Sequence, residues 1–194
     1  MEPFDSTRKR REALATLLTD PSEDVQTAAA EALERLEGIG SLPELLDALK
    51  KGDRGTKIKA LYALGKIGGD EVLPPLLYCA SRPEEDIKSV AVEILGVLGD
   101  TRALPVLVER LKDPSPAIRA KTIAALGNFR NPALVKELLP FLDTGDGLLD
   151  AEAVTALAKI GDGSLEARFL DLLRSTHPQT REAAAMALGV LRIK

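Results

Sequence analysis

The chain has 194 residues, 45 % of them apolar, enough to bury a substantial core. Aromatic residues make up 3 % and tryptophan is absent, so Leu, Ala, Val and Ile must build that core. A net charge of −4 argues against a general nucleic-acid binder, and the single cysteine, Cys79, excludes an internal disulfide or a cysteine metal cluster. No apolar run approaches the roughly 18 residues of a membrane span, and none follows Arg8-Lys9-Arg10-Arg11 as a secretory leader would require. The expectation is a cytoplasmic protein with no membrane partner.

Residues 1–11, with Phe4 and the basic run Arg8 to Arg11, are expected to precede the first helix. Residues 12–194 then read as one domain of six helical hairpins. In the first, Leu14 anchors one helix, Ser22 stands before the next, and Ala29, Leu33 and Leu36 mark its buried face. The second repeats this with Leu45, Asp53, Ala60, Leu64 and Ile67, and the third with Leu76, Glu84, Ala91, Leu95 and Leu98. In the fourth, Leu104, Leu107, Val108 and Leu111 share a helical face until Asp113-Pro114-Ser115-Pro116 breaks it. Ser115 then caps the following helix, with Pro116 at its first position, and Thr122, Leu126 and Phe129 continue the pattern. The fifth has Leu138, Asp146, Ala153, Leu157 and Ile160, and the sixth Phe169, His177, Ala184, Leu188 and Leu191. Each residue stands 31 positions after its counterpart, without an insertion.

The columns carry physical meaning. Ser22, Asp53, Ser115 and Asp146 are N-cap types whose oxygen accepts an orphan helix N–H. Gly65, Gly96, Gly127 and Gly189 follow the second-helix leucines. A glycine inside a helix costs roughly 1 kcal/mol against Ala, so these point to a tight crossing where a Cβ would clash. Gly68-Gly69-Asp70, Gly99-Asp100 and Gly161-Asp162 are stop signals, and Pro43, Pro74 and Pro105 sit in the first turn of the next helix. One such hairpin cannot bury both faces, so the copies must stack. The expected class is all-α, an α-solenoid of six two-helix repeats.

Ile87-Lys88, Ala91, Leu95-Gly96 and Leu98-Gly99-Asp100, with Ile118-Arg119 and Leu126-Gly127, resemble the HEAT repeat, most closely its short bacterial form called PBS-lyase HEAT-like. The resemblance spans about residues 12–192, and the stacked two-helix units with short turns are expected to wind into a right-handed superhelix. The 31-residue period is shorter than the roughly 40–47 of the longer HEAT units, and the ankyrin and tetratricopeptide signatures are missing. The resemblance also implies, as an alternative function, a phycobilisome or bilin-lyase-related role. It further implies that the basic column Gln26, Lys57, Lys88, Arg119, Asp150, Arg181 bonds to turn residues such as Asp20 and Asp113, or else binds a ligand.

Catalytic constellations are not expected. His177 is the only histidine, precedes a proline and sits in the cap column, so a paired-histidine iron site has no ligands. Cys79 occupies a column of small or partly buried residues, and a Cys–His pair would have to bridge about three repeats. Asp143-Thr144-Gly145-Asp146-Gly147, with Asp150 and Glu152, lacks the spacing of a calcium loop and reads as a cap and turn. No metal, no cofactor and no enzymatic activity are expected.

What remains is a surface. Rotating each second helix at about 100° per residue places Glu31, Glu93, Thr155 and Met186 opposite the leucines. Within that stripe, expected to line a concave face, Ile58, Lys59, Tyr62, Lys66, Glu93, Val97, Lys121 and Asn128 are the candidate partner-binding residues. Exposed apolar and aromatic side chains on a stripe that should be polar point to a contact. The expected function is a non-enzymatic protein–protein scaffold that binds a partner segment there. Ala183, Met186 and Val190 on the last helix also suggest a homodimer through open solenoid ends.

Overall fold

The structure, a computed structural model, describes residues 3–161 and 163–191, with side chains from Arg8 onward. Every regular element among these is helical. Six hairpins follow one another: α1 (Pro3–Leu17) with α2 (Glu23–Gly40), α3 (Leu42–Lys51) with α4 (Arg54–Ile67), and α5 (Leu73–Ala80) with α6 (Glu85–Leu98). Then come α7 (Leu104–Arg110) with α8 (Pro116–Asn128), α9 (Val135–Leu138) with α10 (Gly147–Ile160), and α11 (Glu166–Leu172) with α12 (Pro178–Val190). Short 3₁₀ turns lead into α7, α9 and α11.

The first helix begins at Pro3, so the basic run lies inside α1 and not ahead of it. Arg8 donates to Glu12 at 2.8 Å, one helical turn on, and both side chains are exposed. That i,i+4 pairing lets a charged segment join the helix in place of leading up to it. The side chain of Phe4, and Asp162 of the last stop signal, lie outside the described residues.

The chain divides into two compact units, Met1–Val72 and Leu73–Lys194. In the first unit α2 packs on α4, over Ala29, Ala60, Leu61 and Leu64, which are buried. In the second, α6, α8, α10 and α12 pack in succession, each on the next. The anchor leucines Leu95, Leu126 and Leu157, with Leu76, Leu107, Leu138 and Phe169 of the first helices, are wholly buried there. Leu14, Leu33 and Leu188, in the first and last hairpins, are only half-buried. Thr122 takes its place in the alanine column because its hydroxyl donates to the Ile118 carbonyl at 2.7 Å, which satisfies a buried polar group.

Three of the four expected caps form: Asp53 accepts from the Thr56 amide, Ser115 from Ile118, and Asp146 from Leu148 and Leu149. Ser22 occupies its cap position without a side-chain bond; its own amide donates instead to Asp20 Oδ1 at 2.9 Å. Gly99 and Gly161 end α6 and α10 in the left-handed conformation that only glycine adopts cheaply. The glycine crossings hold at two positions. A Cβ on Gly96 would lie 2.7 Å from Ala125 Cα, and one on Gly127 would lie 2.7 Å from Ala156 Cα. At Gly189 the expectation fails, because no atom comes within 4 Å of the added carbon.

Candidate functional site

The hydrogen bonds of the basic column are structural. At four of its six positions the side chain bonds to the turn that precedes its own helix, and at Lys88 it bonds to the turn of the next hairpin. Gln26 Nε2 donates to the Asp20 carbonyl at 2.7 Å, Arg119 Nη1 to the Asp113 carbonyl at 2.9 Å, and Arg181 Nη1 to the Ser175 carbonyl at 2.7 Å. Asp150 inverts the polarity: its Oδ1 accepts from the amide and hydroxyl of Thr144. The acidic loop expected to be a turn is therefore tied by Asp146 and Asp150, and Gly145 adopts φ +75°.

Lys88 is the buried member of the column. Its Nζ lies 2.7 Å from Asp113 Oδ2, with side chains 9 % and 2 % exposed. Burial by itself would raise the Asp113 carboxyl. The Lys88 hydrogen bond, the Ser115 amide and the charges of Lys88 and Arg110 outweigh it and hold the group below the usual carboxylate range. Arg110 stands in the same column as Cys79, and its Nε is buried with no hydrogen-bond partner among the described residues. Sequence reasoning missed this cation. The signal was an arginine where its counterparts are Leu17, Ala48, Cys79, Phe141 and Leu172. Cys79 itself is buried, and His177 lies over Gly147 without capping α12. Among the described residues no group of three or more His, Cys, Asp or Glu could hold a metal ion.

The candidate stripe falls into two sets. In the first unit, Ile58, Lys59, Tyr62 and Lys66 lie on α4. Tyr62 is 46 % exposed, Lys59 and Lys66 are exposed and Ile58 is half-buried. Lys66 lines a groove of about 590 Å³ between α2 and α4, facing Glu31, Glu34, Arg35 and Glu37, and its Nζ stands 3.7 Å from Glu34 Oε1. Tyr62 is one turn before Lys66 on the same helical face.

In the second unit the stripe is partly committed to itself. Lys121 Nζ donates to Glu93 Oε2 at 2.8 Å, joining α8 to α6, and Lys159 Nζ donates to Asn128 Oδ1 at 2.9 Å, joining α10 to α8. Three of the proposed contact residues, Glu93, Lys121 and Asn128, are thus rungs between neighbouring helices. Val97, 76 % exposed, remains an open apolar side chain. No helix among the described residues is long and apolar enough to cross a membrane.

Residues 11–89, 73–147 and 135–193 match the family model described as HEAT repeats. Among solved structures, the complex of CpcE and CpcF of phycocyanin lyase from Nostoc sp. PCC7120 is similar at 21 % identity and a TM-score of 0.60, over 93 % of this chain and 76 % of that one. A designed armadillo repeat protein in complex with the peptide (KR)4 is similar at 19 % identity and a TM-score of 0.57, over 93 % and 98 %. An engineered protein is similar at 21 % identity and a TM-score of 0.58, over 93 % and 96 %. At these identities the likeness is one of fold. Comparison with curated proteins gives no match.

Proposed function

The chain belongs to the HEAT-repeat family, and we propose that it is a non-enzymatic scaffold that holds a segment of another protein against its second-helix faces. The observation that carries this reading is the α2–α4 groove with Tyr62 beside it. A half-exposed aromatic next to a charged cleft combines an apolar anchor with orienting charges. Rigid helices lose little freedom on binding, so modest contacts suffice. That the designed armadillo relative holds a peptide is consistent with such use of this fold.

The test is affinity capture from native lysate with wild type and Tyr62→Ala, each retained protein identified by mass. Tyr62 is exposed, so the variant should melt with the wild type. Loss of an aromatic anchor of about 2 kcal/mol would weaken a bound partner roughly 30-fold. A partner retained equally by both proteins would remove Tyr62 from the site, and the absence of any partner would count against the scaffold. The bilin-lyase-related reading rests on the resemblance of the repeat to the PBS-lyase HEAT-like form and on likeness in fold to the phycocyanin-lyase complex. It predicts a shifted absorbance band when bilin is added to the purified protein.

A further inference from the structure

The polar rungs along the second unit stop at α10. Glu93–Lys121 crosses from α6 to α8 and Asn128–Lys159 from α8 to α10, but from α10 to α12 the side-chain bond among the described residues is the buried Thr180 hydroxyl donating to the Gly147 carbonyl, and none joins exposed side chains. In place of a rung lies a groove of about 300 Å³, with Thr155 and Lys159 on the α10 side and Met186 and Val190 on the α12 side. Met186 and Val190 are each 68 % exposed, far more than an aliphatic side chain on a helix flank needs to be. Alanines floor the groove, so a bulky side chain could reach between the helix backbones.

Among the described residues Lys159 is the one charged residue lining this groove, and carboxylates on the same two helices lie beyond its other end. Lys159 lies at its C-terminal end, and among the described residues its one partner is the neutral amide oxygen of Asn128. One to two turns earlier stand Glu152 on α10 and Glu182 on α12, neither with an ion-pair partner among the described residues. An apolar slot between an uncompensated cation and two carboxylates is complementary to one kind of segment. We propose that this groove binds a peptide segment of a partner protein in which a bulky aliphatic or aromatic residue is flanked by an acidic residue on one side and a basic residue on the other. Its acidic residue pairs with Lys159, its basic residue with Glu152 and Glu182, and its apolar side chain packs on Met186. The inference deepens the scaffold reading and rests on it, but it uses a different set of residues from the α2–α4 groove.

Met186 supplies a clean probe, since Met1 is the only other methionine. The experiment titrates short fluorescein-labelled peptides into the protein carrying ¹³C-methyl methionine. Their centre is Leu, Met, Phe or Ala, with an acid–base flank order in both directions. Anisotropy reports affinity and the Met186 methyl signal reports the place. The expected result is a Met186 shift with bulky-centred peptides, at least about ten-fold weaker binding of the Ala-centred ones, and a preference for one flank order. Lys159→Glu, at an exposed position, should weaken the preferred peptide by about ten-fold or more, whereas Tyr62→Ala should leave it unchanged. Binding that ignores the Lys159 charge, or no Met186 shift with any peptide, overturns the proposal. If Tyr62→Ala still releases a lysate partner in that case, the scaffold reading stands and only this groove is lost.

Discussion

Lys88→Met is expected to lower stability by about 3 kcal/mol, with no effect on the exposed stripe. Methionine fills nearly the same volume, so the loss is not one of packing. It comes from stranding the Asp113 carboxylate, 2 % exposed, without the ammonium 2.7 Å away. The Arg110 guanidinium at 3.8 Å and the Ser115 amide at 3.0 Å still face that carboxylate, which keeps the loss at the low end for a broken buried pair. The Lys88→Met/Asp113→Leu double variant should recover part of it, because no lone charge is left, but not all, because the Ser115 amide loses its acceptor. Acid supplies an independent check. Asp113 has a folded-state pKa below its unfolded value, so its contribution is complete above about pH 4 and fades as pH falls through the folded value. The stability gap between wild type and Asp113→Asn, measured by urea unfolding, should therefore narrow from pH 7 to pH 2–3. A gap independent of pH would mean that Asp113 acts through shape alone.

Lys88 and Asp113 also show what could be read before any coordinates. Their columns, a basic residue in the first turn of the second helix and an aspartate in the turn that precedes such a helix, follow from the 31-residue step, and the bond joins a helix start to the turn of the next hairpin. The caps at Asp53, Ser115 and Asp146 were legible for the same reason: a cap depends on residues within one turn of each other. Contacts between exposed side chains of neighbouring helices were not. Glu93 and Lys121 are 28 positions apart and not 31, so the rung runs diagonally across the repeat. Its formation depends on how far one helix is rotated against the next, which the period does not specify. The stripe could thus be recognised as a surface while its internal pairing could not. The groove between α10 and α12 was hidden for the same reason: Met186 and Val190 read as an end face until the rungs were seen to stop at Lys159.

Gly127→Ala and Gly96→Ala are each expected to destabilise by about 1–3 kcal/mol, while Gly189→Ala, in the same column, should stabilise slightly. In an open helix, glycine to alanine gains roughly 0.5–1 kcal/mol from backbone entropy alone. At Gly127 the new Cβ would lie 2.7 Å from both Cα and Cβ of Ala156, and at Gly96 it would lie 2.6 Å from the Cβ of Ala125 and 2.7 Å from its Cα. A backbone carbon cannot swing aside as a side chain can, so α8 must move off α10, or α6 off α8. Such a movement loosens the packing of Leu95, Leu126 and Leu157, which are wholly buried beside these crossings. Ala156→Gly placed with Gly127→Ala relieves only the side-chain half of that clash, so it should restore part of the loss while the overlap with the residue 156 backbone persists. At Gly189 the added carbon meets nothing within 4 Å, and only the entropic gain remains, reduced by the position near the end of α12. Thermal unfolding of the three single variants separates the causes. Opposite signs within one column mean that the glycines are kept by the approach of the neighbouring helix. A common sign would mean that helix propensity or some shared property of the column decides, and the close crossing would lose its energetic role.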